Sequence, residues 1–142
     1  MSASSARPVP VPDESSAAFW EATAAGTLAL ARCSACRAVS HPPEVVCPRC
    51  GSAEPAYTYE PVAGTGVVRS WTVLRQPFLP GFADDLPVVL VDVAIDGTDD
   101  VRLIGRLLDG PHAPVRLGAA VRVDFERIAD GVAVPAFALV AP

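Results

Sequence analysis

All four cysteines of the chain fall in one short window, as Cys33-Ser34-Ala35-Cys36 and Cys47-Pro48-Arg49-Cys50-Gly51. A Cys-x-x-Cys turn holds two thiolates one metal-ligand edge apart, and two such turns at the tips of neighbouring hairpins complete the tetrahedral sulfur shell that Zn²⁺ accepts. Cys33, Cys36, Cys47 and Cys50 are therefore the expected ligands of one zinc ion in a ribbon of short hairpins. A closed shell of four sulfurs has no open position for water or substrate, so this zinc is expected to be structural and not catalytic. Two other chemistries use paired cysteines. Disulfides need an oxidising compartment, and the stretch from Met1 to Pro12 has no apolar core to direct export, which makes a cytoplasmic address the expectation. A redox Cys-x-x-Cys would be expected once, beside a βαβ pattern that the chain does not offer. Gly51 follows the second knuckle, where a left-handed residue is commonly wanted, but Arg37 follows the first. A non-glycine there costs about 1 kcal/mol, tolerable beside the contribution of the metal.

The other reactive side chains form no catalytic set. His41 and His112 are the general-base candidates, each on a proline-flanked turn with no nucleophile to match, and there is no Ser-His-Asp arrangement. The carboxylate pairs Asp84-Asp85 and Asp99-Asp100 lie in turns, where adjacent acids are solvated far more often than catalytic. The chain alone is thus a weak enzyme candidate. All basic residues are arginine, and 11 of them against 16 acids leave a net charge of −5, a poor start for a phosphate-backbone binder. The ribbon itself is locally basic through Arg32, Arg37 and Arg49, which reads either as a solvated face or as an anion site. No apolar run approaches the roughly 20 residues of a membrane span.

The elements that must hold these residues can be read in order. Residues 1–14 alternate small residues, polar residues and proline and read as an unpacked tail. Ser15 or Ser16 can cap a short helix through Phe19 and Trp20, stopped by Gly26, whose two bulky aromatics must pin it to the body of the protein or to a partner. Residues 15–56 make up this helix and the ribbon, with Thr27 to Arg32 as the strand entering the first knuckle. After a connector at about 53–62 the period changes to two, and five segments follow: Gly66–Leu74, Val88–Ile95, Val101–Leu108, Ala120–Ile128 and Val132–Val140. In the second, Val88 and Leu90 are expected on the exposed side, and Pro135 confines the last to an edge or a bulge. Five short antiparallel strands over residues 57–142 have the size of a small Greek-key barrel of the OB type, with an SH3-like barrel as the alternative. The fold class is mainly β: an N-terminal helix, a zinc ribbon with four cysteine ligands, then a five-stranded OB-fold barrel.

The run Phe19-Trp20-Glu21, Gly26-Thr27-Leu28, the first knuckle, His41-Pro42-Pro43 and the second knuckle, followed by Gly64-Thr65-Gly66-Val67-Val68-Arg69-Ser70-Trp71, resembles the zinc-ribbon/OB-fold proteins of domain-of-unknown-function family 35. Pro80-Gly81-Phe82, Leu86-Pro87-Val88, Leu103-Ile104-Gly105-Arg106-Leu107 and Leu117-Gly118 continue the likeness, so it covers nearly the whole chain after residue 15. The resemblance implies acyl-CoA metabolism and a companion role beside a thiolase-superfamily enzyme, with a hydratase-type subunit as a further candidate partner. The partner would hold the reactive residues and most of the acyl-CoA. On the side of this chain, the candidates for contact with partner or acyl group are Phe19 and Trp20 on the helix and Arg75, Phe78, Leu79 and Phe82 on one proline-bounded loop. That loop is either a preorganised apolar projection or a plug for the open end of the barrel. The competing class is a nucleic-acid-binding ribbon and barrel, which would need basic grooves and exposed aromatics, whereas this barrel has an acidic excess and only Trp71, Phe78, Phe82, Phe125 and Phe137 as aromatics, most on strands that also need a core.

Overall fold

The structure, a computed structural model, describes residues 6–141. A helix α1 (Ala17–Ala24) leads into a small sheet built from β1 (Ala29–Arg32), β2 (Val39–Ser40) and β3 (Thr58–Pro61), ordered β2-β1-β3 and antiparallel throughout. The barrel follows as β4 (Thr65–Leu74), β5 (Val88–Ile95), β6 (Arg102–Arg106), β7 (Ala120–Ala129) and β8 (Val132–Leu139), in the order β6-β5-β4-β7-β8. The edge strands β6 and β8 meet through a parallel bridge, Leu107 to Phe137, with the Leu108 N–H donating to the Phe137 carbonyl at 2.8 Å. Antiparallel neighbours closed by a parallel seam are the topology of the OB barrel, which decides against the SH3-like alternative.

Local chemistry explains the boundaries. Asp13, not a serine, organises the entry to α1: its Oδ1 accepts from the backbone N–H and the hydroxyl of both Ser15 and Ser16. These bonds, those of the Ser16 and Ser15 hydroxyls foremost, pull the carboxyl of Asp13 below its usual range. The helix ends where the Thr27 N–H reaches the Ala22 carbonyl and the Gly26 N–H that of Thr23, a Schellman closure. Pro135 sits on β8, whose outer edge is free of ladder partners except at the seam.

Three expectations change. The connector at 53–62 contains β3, which pairs residue by residue with β1 from Thr58 opposite Arg32 to Pro61 opposite Ala29. Val88 is buried and Leu90 half-buried, because a groove wall covers the face that strand alternation would leave wet. Residues 7–10, read by composition as unpacked, lie along that groove, and residues 1–5 fall outside the described residues.

The core is continuous between the two modules. Phe19, Leu28, Leu30 and Val39 from the helix and ribbon belong to one buried cluster with Val91, Val121, Leu107 and Phe137 of the barrel.

Candidate metal centre and apolar groove

The first knuckle grows directly out of β1 and turns back into β2, and the second hangs in the loop between β2 and β3 without strands of its own. Both close alike. The Arg37 N–H donates to the Cys33 carbonyl and the Gly51 N–H to the Cys47 carbonyl, each at 2.9 Å, and the N–H groups of Cys33 and Cys47 donate to the Ala38 and Ser52 carbonyls. Arg37 has φ +68° and Gly51 φ +75°, so both knuckles require the left-handed residue and only the second supplies glycine. The Glu60 carboxylate holds the strained arginine: Arg37 Nη2 donates at 2.8 Å and Arg32 Nε at 2.6 Å. These two guanidinium groups, Arg37 first, keep the Glu60 carboxyl below its ordinary range.

The four sulfurs lie within 4.8 Å of one another. Cys33 and Cys50 are 3.9 Å apart, and Cys36 and Cys47 are 3.8 Å apart. A regular tetrahedron with zinc–sulfur bonds of ~2.3 Å sets its sulfurs about 3.8 Å apart, whereas a disulfide needs ~2.05 Å. The sulfurs fit zinc and none is bonded to another. N–H groups of Cys50 and Arg49 aimed at the Cys47 sulfur lower that thiol to about 7. The Ser52 N–H acts in the same sense on Cys50, but desolvation and the three neighbouring sulfurs prevail and push it up to about 11. The site is a structural zinc centre in which these four side chains supply the whole shell, leaving zinc the task of folding the knuckles.

His41 is not among the ligands. Its ring lies against Phe19 with centroids 4.8 Å apart, and burial lowers its pKa, so the neutral form is favoured. The arginines of the ribbon do not make an anion site, since Arg32 and Arg37 share Glu60 and Arg49 reaches the Asp99 carbonyl on the β5–β6 turn at 3.0 Å. Three of the four turn acids are likewise engaged: Asp85 faces Arg7 and Arg106, and Asp99 and Asp100 face Arg49 and Arg102, while Asp84 is exposed.

A groove of about 940 Å³ runs between α1, the His41-Pro42-Pro43 turn and the barrel wall, and it is mostly apolar. Phe19, Trp20, Phe78, Leu79 and Phe82 all line it, but in different states. Phe19 is buried and edge-on to Trp20 at 4.9 Å, so it pins the helix to the body. Phe82 is half-buried beneath the Arg7 guanidinium, 4.7 Å from its ring centre. Phe78 is 79% exposed and Leu79 56%, so the loop both plugs and projects, with Phe82 as plug and Phe78-Leu79 as projection. Arg75 is exposed and does not line the groove. Sequence reasoning missed Arg7, Pro8, Val9 and Pro10, which form one rim; the available signal was a lone charge ahead of alternating prolines.

Residues 20–56 match the profile described as the ChsH2 rubredoxin-like zinc ribbon domain, and residues 59–126 that of the ChsH2 C-terminal OB-fold domain. A solved structure titled "Ltp2-ChsH2(DUF35) aldolase" shares the fold with a TM-score of 0.79 at 30% identity, the match covering 93% of this chain and 99% of that one. The chain belongs to the ChsH2 (DUF35) family. The resemblance to domain-of-unknown-function family 35 drawn from the knuckles and the later landmarks is thereby borne out, as are the ribbon and the OB barrel. A relative from Thermomonospora curvata, named "Probable enoyl-CoA hydratase alpha subunit", is 31% identical over 131 residues, 92% of this chain. This chain spans 39% of the length of that curated relative.

Proposed function

We propose that this chain is a non-catalytic accessory subunit of a cytoplasmic acyl-CoA-processing complex, docking on a thiolase-superfamily enzyme that performs acyl transfer, Claisen condensation or retro-aldol cleavage. The observation that carries the reading is the likeness, along almost its whole length, to a ChsH2(DUF35) chain whose title joins it to Ltp2 in an aldolase. The hydratase name of the second relative supports acyl-CoA chemistry and a hydratase-type subunit as a further partner. The site chemistry is consistent with that division of labour: the thiols are committed to zinc, and Asp85, Asp99 and Asp100 are held by arginines. Phe78 and Leu79 are the contact residues of choice, because large apolar side chains left in water on a proline-bounded loop mark a surface that a partner covers. Trp20 and Phe82 serve behind them as the wall that sets the loop.

Co-expression with a thiolase-superfamily enzyme of the same source, followed by size-exclusion chromatography, tests the reading. A complex of fixed stoichiometry is expected, with acyl-CoA turnover present in the complex and absent from the purified chain alone. Steady-state turnover by the chain alone, surviving substitution of both His41 and His112, would overturn the accessory role.

A further inference from the structure

Arg7 lies outside any regular element and is nonetheless held by four groups at once. Its Nη1 donates to Glu126 Oε1 at 2.8 Å, its Nη2 pairs with Asp85, its Nε donates to the Gly81 carbonyl at 3.1 Å, and its carbon plane covers the Phe82 ring. Two carboxylates, one carbonyl and an aromatic face match every feature of a guanidinium: its charge, its fork of donors and its flat apolar surface. Gly81 completes the fit. A Cβ there would stand 2.7 Å from Arg7 Cγ and from the Arg7 backbone nitrogen, so a glycine is what lets the segment lie this close. Beyond Arg7 the chain runs as Pro8-Val9-Pro10 along the groove wall and, among the described residues, takes no further hydrogen-bonded anchor until Asp13 organises the start of α1. The segment is therefore held at two ends, with prolines that cannot donate a hydrogen bond between them. Arg106 also faces Asp85 and Glu126, at 3.5 and 3.2 Å, so when Arg7 leaves one positive charge stays beside the two acids and the negative charge left over is what a second guanidinium would match.

We propose that Asp85, Glu126, the Gly81 carbonyl and the Phe82 ring form an arginine-recognition pocket which, with the adjoining apolar groove, is a docking site for an extended Arg-Pro-apolar-Pro segment, and that residues 7–10 of this chain occupy it in cis as a detachable strap. This goes beyond the accessory role and does not depend on it. The strap closes one side of the groove through one releasable pin, and a tethered segment this short has an effective concentration on the order of millimolar, so only a segment offering the same arginine at comparable concentration replaces it.

The test uses the full chain and the fluorescence of 1-anilinonaphthalene-8-sulfonate, which brightens on apolar surface. Arg7→Ala should raise dye uptake severalfold with zinc content and far-ultraviolet spectrum unchanged. Gly81→Ala should do the same from the other side of the contact, and the double variant should open the groove no further than either single one, because both act through one pin. A synthetic peptide of residues 6–12, titrated into Arg7→Ala to millimolar concentration, should return dye uptake to the wild-type level, and the same peptide with alanine for arginine should not. Wild-type dye uptake in both single variants, an additive double variant, or closure by the arginine-free peptide would each overturn the proposal.

Discussion

Replacing Phe78 by alanine separates interface from fold, because the residue is 79% exposed in the free chain and stands at the groove. A phenylalanine presents about 200 Å², so ~160 Å² remain for a partner to cover, and at about 25 cal/mol per Å² its full burial amounts to ~4 kcal/mol. Interfaces return less than area implies, so truncation of a central anchor should cost about 2–4 kcal/mol, roughly 30- to 1,000-fold in Kd. In the free chain the same change should stay within about 0.5 kcal/mol. Titration calorimetry of the complex with the thiolase-superfamily enzyme, beside denaturant midpoints of the isolated chain, reads both quantities. Phe82 is the wrong probe for this purpose, since its ring lies under Arg7 and its loss disturbs the loop from within. A weakening of less than about threefold for Phe78→Ala and Leu79→Ala together would show that the projection is not the contact and would refute the reasoning.

Protein purified without chelator should carry one zinc per chain, and Cys47→Ser should abolish it while the strand signal of the barrel persists; a metal-free wild-type chain that keeps its knuckles would contradict the tetrahedral fit. Gly105→Ala should destabilise by about 1–3 kcal/mol, seen as a lower denaturant midpoint, because the new methyl would lie 2.8 Å from the fully buried Phe137 ring and 3.1 Å from the Pro135 carbonyl. Glu60 has its folded pKa depressed, so its stabilising effect is complete above its unfolded value near 4.5 and is lost as pH falls through the folded value. Glu60→Gln should therefore melt below wild type at neutral pH, and the gap should close as pH falls through the depressed folded value.

The knuckles and the five barrel strands were legible because their signals are local: cysteine spacing for one, period-two alternation with turn residues for the other. Segments read as 66–74, 88–95, 101–108, 120–128 and 132–140 return as strands within a residue or two at most ends. What escaped is non-local. Thr58-Tyr59-Glu60-Pro61 has too few residues to show a period and becomes a strand only because β1 offers an edge some thirty residues earlier in the chain. Arg7 finds its partners 74 and 119 residues away, so no window of sequence around it could have lifted residues 7–10 out of a tail. Val88 obeys its strand period and yet is buried, since it lies in the wall of a groove that alternation cannot foresee.

The single hydrophobic cluster that joins Phe19, Leu30 and Val39 to Val121 and Phe137 sets the smallest piece of this protein that can be moved elsewhere. A cut after residue 56, where one family profile stops and the next begins, would part β3 from β1 and strip Glu60 from the two arginines it serves. It would also lay open the face of Leu28 and Leu30 that the barrel now shields. Grafts and chimeras between relatives should therefore exchange α1, the knuckles, β3 and the barrel as one cassette. The Thermomonospora relative resembles this chain over such a span, its 131 matched residues taking in both modules.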